Sequence, residues 1–105
     1  MKSGILILTT TDTLELAKKI AADLVDTGEA ACVNIIPGIR SIYRWEGKVQ
    51  DEGEYLLLVK TTSDKFETVR SMIRRLHTYE IPEVISIPIT AGDPDYLSWL
   101  RSSLS

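Results

Sequence analysis

The side chains able to do chemistry are few. Cys32 is the sole thiol and His77 the sole imidazole in the 105-residue chain. As a thiolate, Cys32 suits soft or borderline ions such as Cu(I) and Zn(II). It stands between Ala31 and Val33 in an apolar run, and that setting favours a buried core cysteine over a ligand. His77 precedes Tyr79, Glu80 and Glu83. An imidazole with one or two carboxylates can hold a divalent ion weakly; the same histidine can instead cap a helix end, where positive charge is favourable. Zinc sites usually take three or four protein ligands, so one cysteine and one histidine do not complete a site within one chain. Glu80 and Glu83 bracket Ile81-Pro82 in what reads as extended chain, and a spacing of three places them on opposite faces. That argues against paired-carboxylate catalysis. Cys32 with His77 as nucleophile and base lacks an orienting third group. No phosphate-binding glycine loop or nucleophile elbow occurs.

Composition sets the class. The chain is 44% hydrophobic and 26% charged with a formal net charge of -3, as expected for one ordinary globular domain spanning residues 1–105. The mild acidity argues against a nucleic-acid or membrane surface. Arg70, Arg74 and Arg75 read as the solvated side of a helix. No run of ~20 apolar residues predicts a membrane helix. The opening residues are too short and too soon polar for a signal peptide, so the expected location is the cytoplasm.

Several elements must position these residues. Ile5 to Thr10 is apolar without alternation, as in a strand buried on both faces. A helix follows, with Asp12 and Glu15 in capping-box spacing, apolar residues from Leu14 to Val25 at helical intervals, and Gly28 as the stop. Ala30 to Ile36 reads as a strand. Pro37-Gly38 marks a bulge, a bend or a strand end, and Ile39 to Trp45 resumes extended structure. Glu46 to Lys48 reverses the chain into an arm reaching Thr61, about 40 Å at ~3.3 Å per residue. The bland alternative for its tip is a loop from Gly47 to Glu54. Asp64 and Glu67 repeat the capping pattern before a helix carrying Phe66, Val69, Met72, Ile73 and Leu76. Val84 to Ile89 is a fourth strand, whose Pro88 suggests an edge or a bulge. Asp93-Pro94 opens a short final helix.

The order is βαββαβ plus a terminal helix, an α+β ferredoxin-like sandwich with a long hairpin between its second and third strands. Two helices cover one sheet face only. Either the last helix covers the other face partly, or sheets of several copies pack together; an exposed apolar face and a projecting ribbon both point to association with other copies of the chain. Tyr43, Trp45, Tyr79, Tyr96 and Trp99 are amphipathic rings suited to a seam between subunits, with core packing the plain alternative.

The pattern now on the page is specific. It comprises Ala31-Cys32-Val33-Asn34, then Pro37, Ser41, Tyr43, Trp45 and Gly47, then Glu54 leading to Leu56 and Lys60-Thr61. The run from His77 to Glu83 follows, and Tyr96-Leu97 with Trp99 closes it. This resembles the CutA divalent-cation tolerance family over nearly the whole chain. Thr78 departs from the proline that the family usually carries there, which implies a looser turn. The resemblance implies a non-enzymatic, tight homotrimer with hairpins reaching across to neighbours, in an assembly like that of the PII signalling proteins. It also implies weak binding of copper or another divalent cation; the ligand count above gives no tightly bound cofactor, and the charge balance and hydropathy give neither nucleic acid nor membrane as partner. The metal candidates are Cys32, His77, Glu80 and Glu83, and the cleft candidates Tyr43, Trp45, Lys60, Tyr79, Tyr96 and Trp99. A PII-like small-molecule sensor and a structural interaction module are the competing expectations.

Overall fold

A computed structural model describes residues 3–105. Its elements are β1 (Gly4–Thr11), α1 (Leu14–Asp26), β2 (Cys32–Trp45), β3 (Lys48–Thr62), α2 (Phe66–Leu76), β4 (Ile85–Pro88) and α3 (Pro94–Ser102). The sheet order is β2-β3-β1-β4, with every neighbouring pair antiparallel. This is the expected ferredoxin-like arrangement. β1, apolar on both faces, sits between β3 and β4. Pro88 is tolerated because β4 lies at the edge.

Helix α1 buries Ala17, Ile20 and Leu24, and α2 buries Val69, Met72 and Ile73. They pack on Ile5, Ile7, Leu57 and Val59 of the sheet. Their caps differ in detail from the sequence expectation. Thr13, not Asp12, caps α1: its Oγ1 accepts from the Leu16 amide at 3.1 Å. A 3-10 turn at Ser63–Lys65 precedes α2, and Asp64 accepts a 2.6 Å hydrogen bond from Thr62 Oγ1. Asp93 caps α3 as expected, accepting from the amides of Asp95 and Tyr96 at 3.1 Å each.

The hairpin is paired to its tip, with Trp45 opposite Lys48, so the chain from Lys48 to Glu54 is strand and not loop, and only Glu46 and Gly47 form the turn. Glu46 and Gly47 take φ of 50° and 78°, the positive pair that a two-residue hairpin turn requires. The ribbon extends the molecule to 44 Å along its longest axis. At its base, Ile36 faces Leu56 while Ile39 faces Glu54, so β2 carries one extra residue. Gly38, at φ 75°, makes this bulge possible. The bulge also reverses which side chains share a face. Before it, Cys32, Asn34 and Ile36 point away from the helices. Beyond it, Ile39, Ser41, Tyr43 and Trp45 share that face, because they stand opposite the same alternate residues of β3.

The sheet face opposite α1 and α2 is apolar, and α3 reaches it only at the Lys60 end, through Tyr96. Leu6, Leu8, Leu56 and Leu58 are only half-buried, and Ile36, Ile85 and Ile87 are exposed. The register places all seven on this one side.

Candidate functional site

A cleft of about 680 Å³ opens between the base of the ribbon and the connector from α2 to β4. Thr10 and Glu54 come from the sheet, Tyr43 and Trp45 from the ribbon, and Thr78 to Ile81 with Glu83 from the connector. The bulge is what brings the two ribbon rings to the side where Glu54 lies. Without the extra residue, strand alternation would turn them toward the helix side.

His77 anchors the connector. Its Nε2 lies 2.7 Å from the Thr10 carbonyl and its Nδ1 accepts the Tyr79 amide at 3.0 Å. One neutral tautomer, protonated at Nε2, satisfies both contacts. Neither nitrogen therefore offers a lone pair to a metal ion while these bonds stand. His77 is also the C-terminal cap of α2, its backbone N–H bonding to the Ile73 carbonyl. The bond directs Tyr79 inward, where its hydroxyl donates to Glu54 Oε2 at 2.5 Å. The histidine and tyrosine rings stand 4.5 Å apart. The connector is thus pinned on both sides of Thr78, the position where the resemblance implies proline.

Glu54 is the residue that sequence reasoning passed over as a site. It is 5% exposed, at the head of an apolar strand where a polar residue reads as a strand end. The available signal was its phase: Glu54 alternates with Leu56 and Leu58 on one face. Its environment is mutually repulsive. Burial first, then the hydrogen bond to the Glu54 carboxylate, holds the Tyr79 phenol well above its usual range. Burial first, then the charge of Glu54, pushes the Glu83 carboxyl up. Tyr43 is likewise raised, by desolvation and then by Glu52 and Glu54.

Glu80 and Glu83 were expected on opposite strand faces. Both line the cleft instead, because this segment is not a strand: β4 begins only at Ile85. The other candidates lie elsewhere. Lys60 Nζ donates to Tyr96 Oη at 3.3 Å and stands 5.5 Å from the centre of that ring, which itself lies 5.5 Å from Trp99. Cys32 pairs with Lys60 in register and is half-buried. Lys60 is six positions along β3 from Glu54, roughly 20 Å at the strand rise. One chain therefore unites Tyr43, Trp45, Tyr79, Glu80 and Glu83, and separates them from Cys32, Lys60, Tyr96 and Trp99. Among the described residues, no group of three or more His, Cys, Asp or Glu side chains is placed to hold a metal ion.

The sequence model of the CutA1 divalent ion tolerance protein family matches residues 5–103. The chain is 46% identical over 97 residues to the divalent-cation tolerance protein CutA of Thermus thermophilus, covering 92% of this chain and 94% of that one. It is 46% identical over 100 residues to the chloroplastic protein CutA of Arabidopsis thaliana, covering 95% of this chain and 55% of that longer protein. The crystal structure of CutA1 from Oryza sativa superposes with a TM-score of 0.96 at 39% identity, covering 99% of this chain and 95% of that one.

Proposed function

The chain belongs to the CutA1 divalent ion tolerance family, and on that footing we propose that it works as a homotrimer that holds copper or another divalent ion weakly in clefts shared between subunits. It is a non-enzymatic protein, of a family described by ion tolerance and not by a reaction. The observation that carries the assembly is the sheet face lined by Leu6, Leu8, Leu56, Leu58, Ile36, Ile85 and Ile87. Such a face is too apolar to stay in water. Rotational closure lets three identical sheets cover one another while each ribbon reaches a neighbour. The same closure can bring the Lys60, Tyr96 and Trp99 end of one chain toward the Tyr43 and Trp45 end of the next.

The metal reading needs that assembly, since no cluster of three ligands forms among the described residues of one chain. Glu80 and Glu83 supply carboxylates at the cleft. Cys32, on the same open face, reaches it only from another copy. His77 contributes only by giving up a bond to Thr10 or Tyr79. Equilibrium dialysis of the assembled protein against Cu(II), Cu(I) and Zn(II) tests this. Retention above an unfolded control, reduced by Glu83→Gln or Cys32→Ser, supports it; no retention removes direct metal binding. A cytoplasmic location belongs to this proposal, and a lone cysteine suits a reducing compartment; fractionation of source cells checks it.

A second reading, a PII-like small-molecule sensor, is favoured by the cleft itself, whose volume falls in the range of small-molecule sites. Thermal-shift screening separates it from the metal reading.

A further inference from the structure

The lining of the cleft restricts what kind of molecule it takes. Three carboxylates, of Glu54, Glu80 and Glu83, and three aromatic rings, of Tyr43, Trp45 and Tyr79, contribute to it, and among the described residues no lysine, arginine or histidine does. Glu54 is nineteen-twentieths buried and its side-chain hydrogen bond comes from a phenol, and among the described residues no cationic side chain lines the cleft beside it. A buried charge without a counter-charge is costly. A phosphate or nucleotide would add to the repulsion. A metal ion needs ligands converging within ~2.6 Å of one point, and the carboxylates form no such cluster among the described residues. The space is also far larger than an ion requires. What satisfies both the charge and the volume is a cation with a carbon skeleton. Tyr43 and Trp45 are 42% and 37% exposed, so ring surface is open to it, and aromatic faces attract ammonium and guanidinium groups.

We propose that the cleft binds a small organic cation, an amine, guanidinium or quaternary ammonium compound, with its charged head against the glutamates and its skeleton against Tyr43 and Trp45. This rests on the sensor reading and names its ligand class.

Titration calorimetry of the full chain, with agmatine, choline and 2-phenylethylamine as probes, tests it. The neutral match 2-phenylethanol and the anion ATP are the controls. At least one cation should saturate with a Kd below about 1 mM, and should weaken when salt is raised from about 50 mM to about 0.5 M. 2-Phenylethanol should bind at least about tenfold more weakly than 2-phenylethylamine, and ATP should give no heat, because the site selects positive charge. Glu83→Gln and Trp45→Ala, both at solvent-facing positions, should each weaken binding by about fivefold or more, as for a desolvated cation–π or charge contact. Arg70→Ala, on the outer side of α2, should change nothing. No saturation by any of the three cations, binding indifferent to both cleft substitutions, or preference for ATP would overturn the inference. Light scattering on the same samples separates the two proposals. A trimer that binds none of the probes overturns this inference and leaves the assembly standing. A monomer that binds them through Glu83 and Trp45 supports this inference and overturns the trimer.

Discussion

Replacing Tyr79 with Phe removes one oxygen and tests the interior of the cleft. That oxygen donates to Glu54 Oε2 at 2.5 Å, and Glu54 is buried to 5% exposure. A hydrogen bond to a charged group contributes about 1.5–3 kcal/mol, and an abandoned buried acceptor carries a desolvation penalty of similar size. The open side of the cleft lets water reach the vacated space and offset part of that loss. The net expectation for Tyr79→Phe is about 2 kcal/mol per chain. Urea unfolding at fixed protein concentration reads this as a midpoint about 1 M lower, for a slope near the usual ~1–3 kcal/mol/M. A double-mutant cycle with Glu54→Gln isolates the pair, and the coupling should be at least about 1 kcal/mol. The alkaline limb gives a second reading of the same bond. The folded state holds the Tyr79 proton more tightly than the unfolded chain, whose phenol titrates at 10.0. This contribution is fully present below that value and is lost as pH rises beyond it toward the raised native value. The gap between wild type and Tyr79→Phe should therefore narrow above pH 10. A variant within about 0.5 kcal/mol of wild type, as at an ordinary surface position, or a cycle that is simply additive, would refute this account of Glu54.

Three further outcomes follow from the same geometry. Glu83→Gln should stabilise the ligand-free protein at neutral pH by a few tenths of a kcal/mol, about the size of a screened surface charge effect, because burial and Glu54 raise its carboxyl. Relative to the unfolded chain, Glu83 favours folding only below its ordinary titration and loses that as pH rises through the native value, so the gain should vanish in acid denaturation series near pH 4. Gly38→Ala, at φ 75° with open space around the added carbon, should cost about 1–2 kcal/mol of left-handed backbone strain, measurable as a lower Tm. Ile87→Lys, in the open apolar face, should leave helical circular dichroism intact while lowering the mass seen by size-exclusion chromatography with light scattering.

The fold was legible because its signals are local. Continuous apolar runs, period-3.6 patterns, Gly47 at the tip, Pro88 at the edge and Asp93-Pro94 at the last cap each specify their element within a few residues. The α1 cap slipped by one position because Asp12 and Thr13 are both competent acceptors; only backbone geometry selects between them. The cleft was less legible. Pro37-Gly38 announced an irregularity, but its consequence, that Tyr43 and Trp45 change face, depends on the pairing register with β3. Strand alternation would divide Glu80 and Glu83, but their segment is not a strand. Glu54 and Tyr79 lie far apart in sequence, and nothing local announces their bond. Cys32 and His77 stood out as the sole thiol and imidazole, with nothing in the sequence to join them in one site. The β2–β3 register sets Cys32 at the far end of the sheet, and the backbone of Thr10 and Tyr79 already occupies both nitrogens of His77.

The uncovered sheet face is the feature on which the shared clefts depend, and its direct test is the mass of the folded species in solution. Sedimentation equilibrium at low micromolar concentration should return three times the 11.7 kDa chain mass, unchanged on dilution. A well-folded species of single-chain mass would contradict it.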